Sequence, residues 1–242
     1  IRDFGEVEKL QVSIKGPTDF VSNADLKAEK IIIEELKKAR PYYSIISEED
    51  GSETNKDENN TWIIDPIDGT ANFLTAIPSW CVVLACVHDD QTKLGVVYEP
   101  SHHEMFWGAM GVGAFLNDKP MQVSPSTTLS IGSTGIGMNG RTSTDLTVSY
   151  IKKLVDRGGI FYRNASGALM LSYVAAGRLI GYAEPHMNAW DCLAGQLLIA
   201  EAGGCVEHQS ANDMLINGGR VVAAGPGVFD EMVQIANETY LP

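Results

Sequence analysis

The sequence predicts a mixed fold, α+β in its first half and α/β in its second. Three observations carry this. Short runs of β-branched and aromatic residues recur between residues 43 and 115, the composition of half-buried strands. From about Ser124 onward such runs alternate with segments of helical period, the pattern of a helix-covered sheet. A chain of 242 residues that is 44% hydrophobic can bury a sizeable core, as one large domain or two small ones sharing an interface. The change of texture places a boundary between residues 1–124 and 125–242.

After the Lys15-Gly16-Pro17 turn, apolar Leu26, Ile32, Ile33 and Leu36 recur among charges, so residues 25–40 are predicted helical, with Pro41 as the stop. Strands are predicted at 43–47 and 61–64, separated by a polar stretch, 51–60, that reads as a solvated loop. Further strands follow at 80–88, 93–98, 104–107 and 113–115, with Asn117-Asp118 as a turn. In the second half, strands are predicted at 130–134, 159–162, 179–183, 205–208 and 221–224. The intervening helices are 143–156, 168–176, 191–202 and 228–237, with Gly177 and Gly203 where a left-handed cap is wanted. There is no internal repeat. The longest apolar run, 80–87, is strand-sized, so no membrane span is expected.

Charge and cysteine usage narrow the function. Acidic residues number 31 against 18 basic, a net charge of −13, which argues against direct nucleic-acid contact. An acidic protein that handles anionic substrates needs cations as intermediaries. Cys81, Cys86, Cys192 and Cys205 form no C-x-x-C pair, so buried thiols in a reducing, cytoplasmic compartment are expected. The opening residues, from Ile1 to Glu6, read as the middle of an element.

Those considerations direct attention to Ile63-Ile64-Asp65-Pro66-Ile67-Asp68-Gly69-Thr70. An apolar strand ends on a carboxylate, and Pro66, with no N–H to donate, is expected to end the ladder. Asp65 and Asp68 converge across the turn, and Gly69 lets backbone approach a ligand. Thr70 is expected to cap a short helix whose first N–H groups face the same point and hold phosphate. Oxygen-only ligands favour Mg²⁺ over zinc. Taken alone, the segment reads equally well as a turn whose aspartates merely cap. Glu48 ends the neighbouring strand in the same way, and Asp191 opens a helix behind Trp190. Singly these are a surface acid and a helix-start charge; together they form a set. The D-x-D-G-T nucleophile motif of haloacid dehalogenase-like phosphatases spaces its acids differently, so an aspartyl-phosphate intermediate is not expected.

In order, Asp25 within Val21-Ser22-Asn23-Ala24-Asp25, then Ser47-Glu48-Glu49, Asp65-Pro66-Ile67-Asp68-Gly69-Thr70-Ala71-Asn72-Phe73, Glu184, Trp190-Asp191 and Glu201-Ala202-Gly203-Gly204 resemble the inositol monophosphatase family. The similarity runs from Gly16 to about Gly225. Tyr173-Val174-Ala175-Ala176-Gly177-Arg178 and Trp190-Asp191 look most like its bacterial, SuhB-like branch.

The resemblance implies a layered αβαβα sandwich, the fold of the inositol monophosphatase and fructose bisphosphatase superfamily, in a homodimer. It implies Mg²⁺-dependent, lithium-sensitive hydrolysis of a small phosphorylated polyol, inositol-1-phosphate first. Glu48, Asp65 and the Ile67 carbonyl would hold one ion, and Asp65, Asp68 and Asp191 a second, with a third near Glu48 in some members. Thr70 and Glu48 would orient and deprotonate the attacking water, with Asp25 accepting a hydrogen bond from Thr70; on helix rules alone Asp25 is a first-turn acid. Gly69 and Thr70 would hold phosphate oxygens beside Asp68 and Asp191. Substrate hydroxyls fall to Glu184, otherwise a strand-end charge, and to Ala165-Ser166-Gly167, where the family usually has Gly-Ser-Ala. Met170 and Pro185-His186-Met187-Asn188 also depart from the pattern, leaving the polyol open; His186 itself reads as a loop histidine.

Fructose-1,6-bisphosphatase, 3′(2′),5′-bisphosphate nucleotidase and histidinol phosphatase activities share the metal carboxylates and differ in the substrate loops. The first would want extra basic residues, and beyond Arg163 and Arg178 few stand near the expected site. A different class is a SuhB-like regulatory protein that binds RNA polymerase or Nus factors on another face.

Overall fold

The computed structural model describes Phe4 and residues 12–16, 19–53 and 57–240. In chain order the elements are β1 (Val12–Gly16), β2 (Asp19–Ser22), α1 (Asn23–Ala39), β3 (Tyr43–Ser47), β4 (Gly51–Glu53), β5 (Asp57–Asp68), α2 (Thr70–Leu74) and β6 (Cys81–His88). Next come β7 (Gln91–Glu99), β8 (Glu104–Ala109), β9 (Gly113–Leu116), β10 (Lys119–Pro120), β11 (Ser133–Ile136), α3 (Thr144–Asp156), β12 (Ile160–Tyr162) and α4 (Gly167–Ala175). The chain closes with β13 (Gly181–Met187), α5 (Ala189–Glu201), β14 (Cys205–Val206), α6 (Ala211–Asn217), β15 (Gly219–Ala224) and α7 (Pro226–Asn237).

The first sheet is ordered β10-β9-β8-β7-β6-β5-β3-β4, antiparallel except where β3 meets β5. Side-chain alternation decides what covers each face. Cys81, Val83, Ala85 and Val87 of β6 turn into a core shared with Leu169 and Leu171 of α4 and Leu193 and Leu198 of α5. Val82 points the other way, against Trp80, Phe73 and Ala24 of α1. The second sheet, β12-β11-β13-β15-β14, repeats this. Tyr182, Val221 and Ala223 meet α4 and α5, whereas Ala183 and Val222 meet Tyr150 and Leu154 of α3 and Met232 and Ile235 of α7. The layers are therefore α1, sheet, α4 with α5, sheet, α3 with α7, the expected αβαβα sandwich. Buried between two sheets, α5 is apolar on nearly all sides. It sits close to α4, because a Cβ on Gly195 would come within 2.5 Å of the Leu171 Cβ.

Four expectations need correcting. Pro66 does not end the ladder: Asp65 pairs with Val83 and Asp68 with Cys81, so three residues of β5 span two of β6. That bulge accommodates a residue with no N–H. Thr70 is not the cap of α2; Gly69 is, at φ 93, and Thr70 is the first helical residue. The stretch 51–60 is not all loop, since β4 pairs back on β3 and β5 begins at Asp57; its residues 54–56 lie outside the described residues. Backbone pairing of polar residues leaves no hydrophobic signature; the short elements β1, β2, β10 and α6 were not expected either. Pro17 lies outside the described residues too. Lastly, of the apolar residues that suggested α1, Leu26 is exposed and Ile32, Ile33 and Leu36 are only half-buried, whereas the fully buried positions are Ala24 and the acids Asp25 and Glu29.

Candidate metal and phosphate site

The bulge in β5 and the start of α5 bring oxygens of Asp65, Asp68 and Asp191 within 4.8 Å of one another. Each acid has one oxygen anchored by protein donors. Oδ1 of Asp65 accepts the Ile67 N–H at 2.9 Å. Oδ2 of Asp68 accepts from Ser166 Oγ at 2.5 Å, the Ala168 N–H at 2.8 Å and the Cys81 thiol at 3.6 Å. Oδ2 of Asp191 accepts both the N–H and the side-chain amide of Asn188 at 3.2 Å, so the helix-start role and the site role coexist. Asp65 also hydrogen-bonds the Glu48 carboxyl, which draws a fourth acid to the cluster.

Burial pushes Asp65 and Asp191 well above the usual carboxylate range, and neighbouring acids, Glu48 foremost, push them further. Asp68 is raised as well, again by burial, against the pull of its donors. Like charges held together out of water are tolerable only when protonated or when a cation sits among them. The donors are all oxygens, so the set fits a hard divalent cation such as Mg²⁺.

Around this floor stand the expected catalytic groups. Thr70 Oγ1 donates toward the Ile67 carbonyl at 3.0 Å and Asp25 Oδ1 at 3.4 Å. Asp25 is both things the sequence allowed. Its Oδ2 closes the capping box of α1, accepting from Ser22 N–H at 2.8 Å and Ser22 Oγ at 2.6 Å, while Oδ1 faces Thr70. Its carboxyl is raised by burial. Glu48 continues from β3 by donating its N–H to Ile64 O at 3.1 Å. The turn beyond it is pinned by Glu29, whose Oε1 accepts the N–H groups of Glu49 at 3.1 Å and Asp50 at 3.2 Å. Sequence reasoning missed Glu29; an acid four residues after Asp25, on the same helix face, was the available signal.

A cavity of about 510 Å³ opens above, lined by Glu48, Asp68, Gly69, Thr70 and Asp191 below and by Ala165, Gly167, Met170 and Glu184 beside them. Gly69 is required there: a Cβ would lie 3.0 Å from Ser79 O, at a φ of 93 that disfavours any side chain. Glu184 is lifted to about 7 by burial, even though Tyr182 OH and Asn139 Nδ2 donate to it. Ser166, expected to face substrate, is instead fully buried with its hydroxyl on Asp68, because it precedes α4 on the side that packs behind that acid. Ala165 holds φ 63, a left-handed conformation natural to the glycine that the family pattern has there. His186 bonds Asn217 O at 2.9 Å and does not line the cavity. Arg178 is also elsewhere, paired with Glu104 and stacked over Phe106 and Tyr173. Asn139, Arg141 and Tyr182 carried no motif and were missed, and Asn188 stood out only as part of a departure from the family pattern.

The inositol monophosphatase family model matches residues 2–239. The chain belongs to the inositol monophosphatase family. It is 43% identical over 224 residues to the inositol-1-monophosphatase of Mesorhizobium japonicum, covering 92% of this chain and 84% of that one. It is 36% identical over 234 residues to the Nus factor SuhB of Haemophilus influenzae, covering 96% and 88%. The crystal structure of the extragenic suppressor protein SuhB from Bartonella henselae matches with a TM-score of 0.91 at 37% identity, over 97% of this chain and 91% of that one. This member of the family is accordingly a metal-dependent phosphatase with the family's layered sandwich. Among the described residues no helix is long and apolar enough to cross a membrane.

Proposed function

We propose that this phosphatase releases phosphate from inositol-1-phosphate or a closely similar polyol monoester, using Mg²⁺. The observation that carries the reading is the convergence of Asp65, Asp68 and Asp191 below a cavity whose side wall ends in Glu184. Glu48, Asp65, Asp68, Asp191 and the Ile67 carbonyl would hold two or three Mg²⁺ ions. When bound, such ions neutralise the phosphate dianion and acidify water.

The chain's own groups supply the rest. Glu48 and Thr70 line one wall of the cavity, where they orient the attacking water and accept its proton. Asp25 holds the Thr70 hydroxyl in place through the contact at 3.4 Å. The N–H groups of Gly69 and Thr70 take phosphate oxygens, a role that suits a backbone with no side chain in the way. Glu184, Ala165 and Gly167 receive the polyol. The two halves, 1–124 and 125–242, act as subdomains, the first supplying Glu48, Asp65 and Asp68 and the second Asp191, so the site forms only when both are folded. All four cysteines are free thiols, which suits a reducing, cytoplasmic compartment; the homodimer rests on the family resemblance alone.

Phosphate release should be measured for inositol-1-phosphate, fructose-1,6-bisphosphate, adenosine 3′,5′-bisphosphate and histidinol phosphate, with and without Mg²⁺ and with lithium. Inositol-1-phosphate hydrolysis that needs Mg²⁺ and falls with lithium is expected. Full activity in Asp68→Asn, or no activity of the natural chain on any monoester, overturns the reading. A second reading rests on relatives named as Nus factors at 36% identity: a transcription-machinery partner on an outer face. Pull-down of RNA polymerase or Nus factors by both the natural chain and Asp68→Asn would support it.

A further inference from the structure

Of the polar side chains between Asp65 and Phe73, only Asn72 has no part in the chemistry proposed for the site. It lies on α2, the short helix that begins at Thr70, and it is buried. Its Nδ2 donates to two carbonyls at 2.6 Å, those of Ser79, just before β6, and of Asn164, in the loop between β12 and α4. The amide can face only one way, because reversing it would set its oxygen against both carbonyls. Asn164 is 92 residues further along the chain, so a single bond joins the helix at the phosphate floor to a loop supplied by the other half of the molecule.

That loop carries several contacts of the site. Ala165 and Gly167 line the cavity, and Ser166 Oγ donates to Asp68 Oδ2 at 2.5 Å. Its two flanks differ in support. Downstream, α4 is buried along almost its whole length. Upstream, all three residues of β12, a strand at the edge of its sheet, are exposed, so packing does little to fix the chain where it enters the site. Polar contacts take over there. Asn164 Oδ1 accepts the Ser166 N–H at 3.0 Å, which closes the turn on itself, and Asn72 holds that turn from outside through the Asn164 carbonyl. The Nδ2 of Asn164 is buried without a partner among the described residues, so this amide offers no second hold. The turn also presses on the phosphate-binding backbone, since a Cβ on Gly69 would lie 3.3 Å from the Ser166 Cβ. The result is a closed ring: the chain runs from Asp68 to Asn72, a hydrogen bond crosses to Asn164, and another returns from Ser166 to Asp68.

We infer that Asn72 is a positioning residue for the phosphatase reaction: by tying the 164–166 turn to α2 it fixes Ser166, and through Ser166 it fixes Asp68, while setting where Ala165 and Gly167 meet the substrate. This rests on the phosphatase reading of the site and adds to it a residue that acts on the cation and the substrate only through others. With the turn released, Asp68 keeps the Ala168 N–H but loses the hydroxyl that orients it, so cation binding weakens. The wall formed by Ala165 and Gly167 shifts with the turn, so recognition of the polyol weakens too.

The test has two readings: Mg²⁺ affinity by calorimetry without substrate, and kcat/KM for inositol-1-phosphate relative to phenyl phosphate, which offers the wall no hydroxyls. In Asn72→Ala the Kd for Mg²⁺ should rise about tenfold, the usual effect of losing a contact behind a metal ligand, and the preference for inositol-1-phosphate should fall. Asn72→Leu, which keeps the branched shape without a donor, should lose as much. In a Ser166→Ala background, Asn72→Ala should add no more than about twofold to the Kd, since both changes reach Asp68 by one route. Tyr150→Phe, which removes a buried hydroxyl in the layer of α3 and α7, controls for lost stability and should leave both readings in place. Should neither Asn72 variant fold, Asn164→Ala, which frees the Ser166 N–H in the same turn, takes their place with the same expected result. Either reading unchanged overturns the inference. So does a fully additive loss with Ser166→Ala, or an equal loss in Tyr150→Phe, since Asn72 would then only stabilise the fold. If the natural chain hydrolyses inositol-1-phosphate and the variants match it, this inference fails and the phosphatase reading stands. If the natural chain hydrolyses no monoester, both fall.

Discussion

Glu29 lies outside every motif, yet it pins the turn that follows Glu48. Replacing it with alanine removes the acceptor of the Glu49 and Asp50 N–H groups, at 3.1 and 3.2 Å, from a side chain with no solvent exposure. Hydrogen bonds to a charged acceptor contribute about 1.5 to 3 kcal/mol each. Two effects reduce the loss: Asp50 is exposed, so its N–H can rehydrate, and Glu29 Oε2 is buried without a partner, so its desolvation cost is recovered. A net destabilisation of about 2 kcal/mol follows for Glu29→Ala. The functional consequence is larger and more specific. Once the turn after β3 loosens, Glu48 no longer sits in a defined place beside Asp65 and Asp191. Loss of such a supporting contact typically weakens metal binding by about 10- to 100-fold. The assay is phosphate release titrated with Mg²⁺, alongside urea denaturation. The half-saturating Mg²⁺ concentration should rise at least about tenfold in Glu29→Ala, while Glu29→Gln, which keeps an oxygen for both N–H groups, stays near the natural value. A Glu29→Ala protein that is less stable but has an unchanged Mg²⁺ requirement refutes the reasoning.

Other expectations follow from the same site. Glu184 has its carboxyl raised from 4.5 to about 7 by burial, so its folded form binds a proton more tightly than its unfolded form. Its stabilising contribution is complete below the unfolded value and is lost as pH rises through about 7. In chelator, Glu184→Gln should therefore gain on the natural chain by about 3 kcal/mol between pH 4.5 and 8, read from denaturation midpoints; a gap independent of pH counts against it. Mg²⁺ should raise the melting temperature more at pH 8 than at pH 5, since the raised aspartates must lose protons to bind it. Calorimetry with equal shifts at both pH values would contradict this. Ala165→Gly relieves a left-handed alanine at φ 63 and should stabilise by up to about 1 kcal/mol, the strain of about 1–2 kcal/mol being partly offset by the more flexible unfolded chain. A loss of stability in that variant would mean that the alanine methyl packs usefully.

Most of the layered fold was legible because burial on one face writes a period into the chain. The alternation along β6 and the helical spacing through α3 and α7 are of this kind. What escaped was written in backbone hydrogen bonds: β4 and β10 pair through polar or very short segments, and the bulge at Pro66 is a matter of register. Register is set by the partner strand, so no local reading of Asp65-Pro66-Ile67-Asp68 could show that the ladder resumes.

The sequence by itself determined the acids and their class of chemistry, because carboxylates that close strands and open helices must be offered to something, and in an acidic chain that something is a cation. Only the tertiary structure decided how they are held and what else surrounds them. Ser166 turned from substrate contact to anchor for Asp68, Glu29 emerged beneath Glu48, and Arg141 joined Arg163 at the mouth in place of Arg178. Each outcome depends on residues distant in sequence being brought to one place, and long-range packing, not any local pattern, fixes which donor meets which acid.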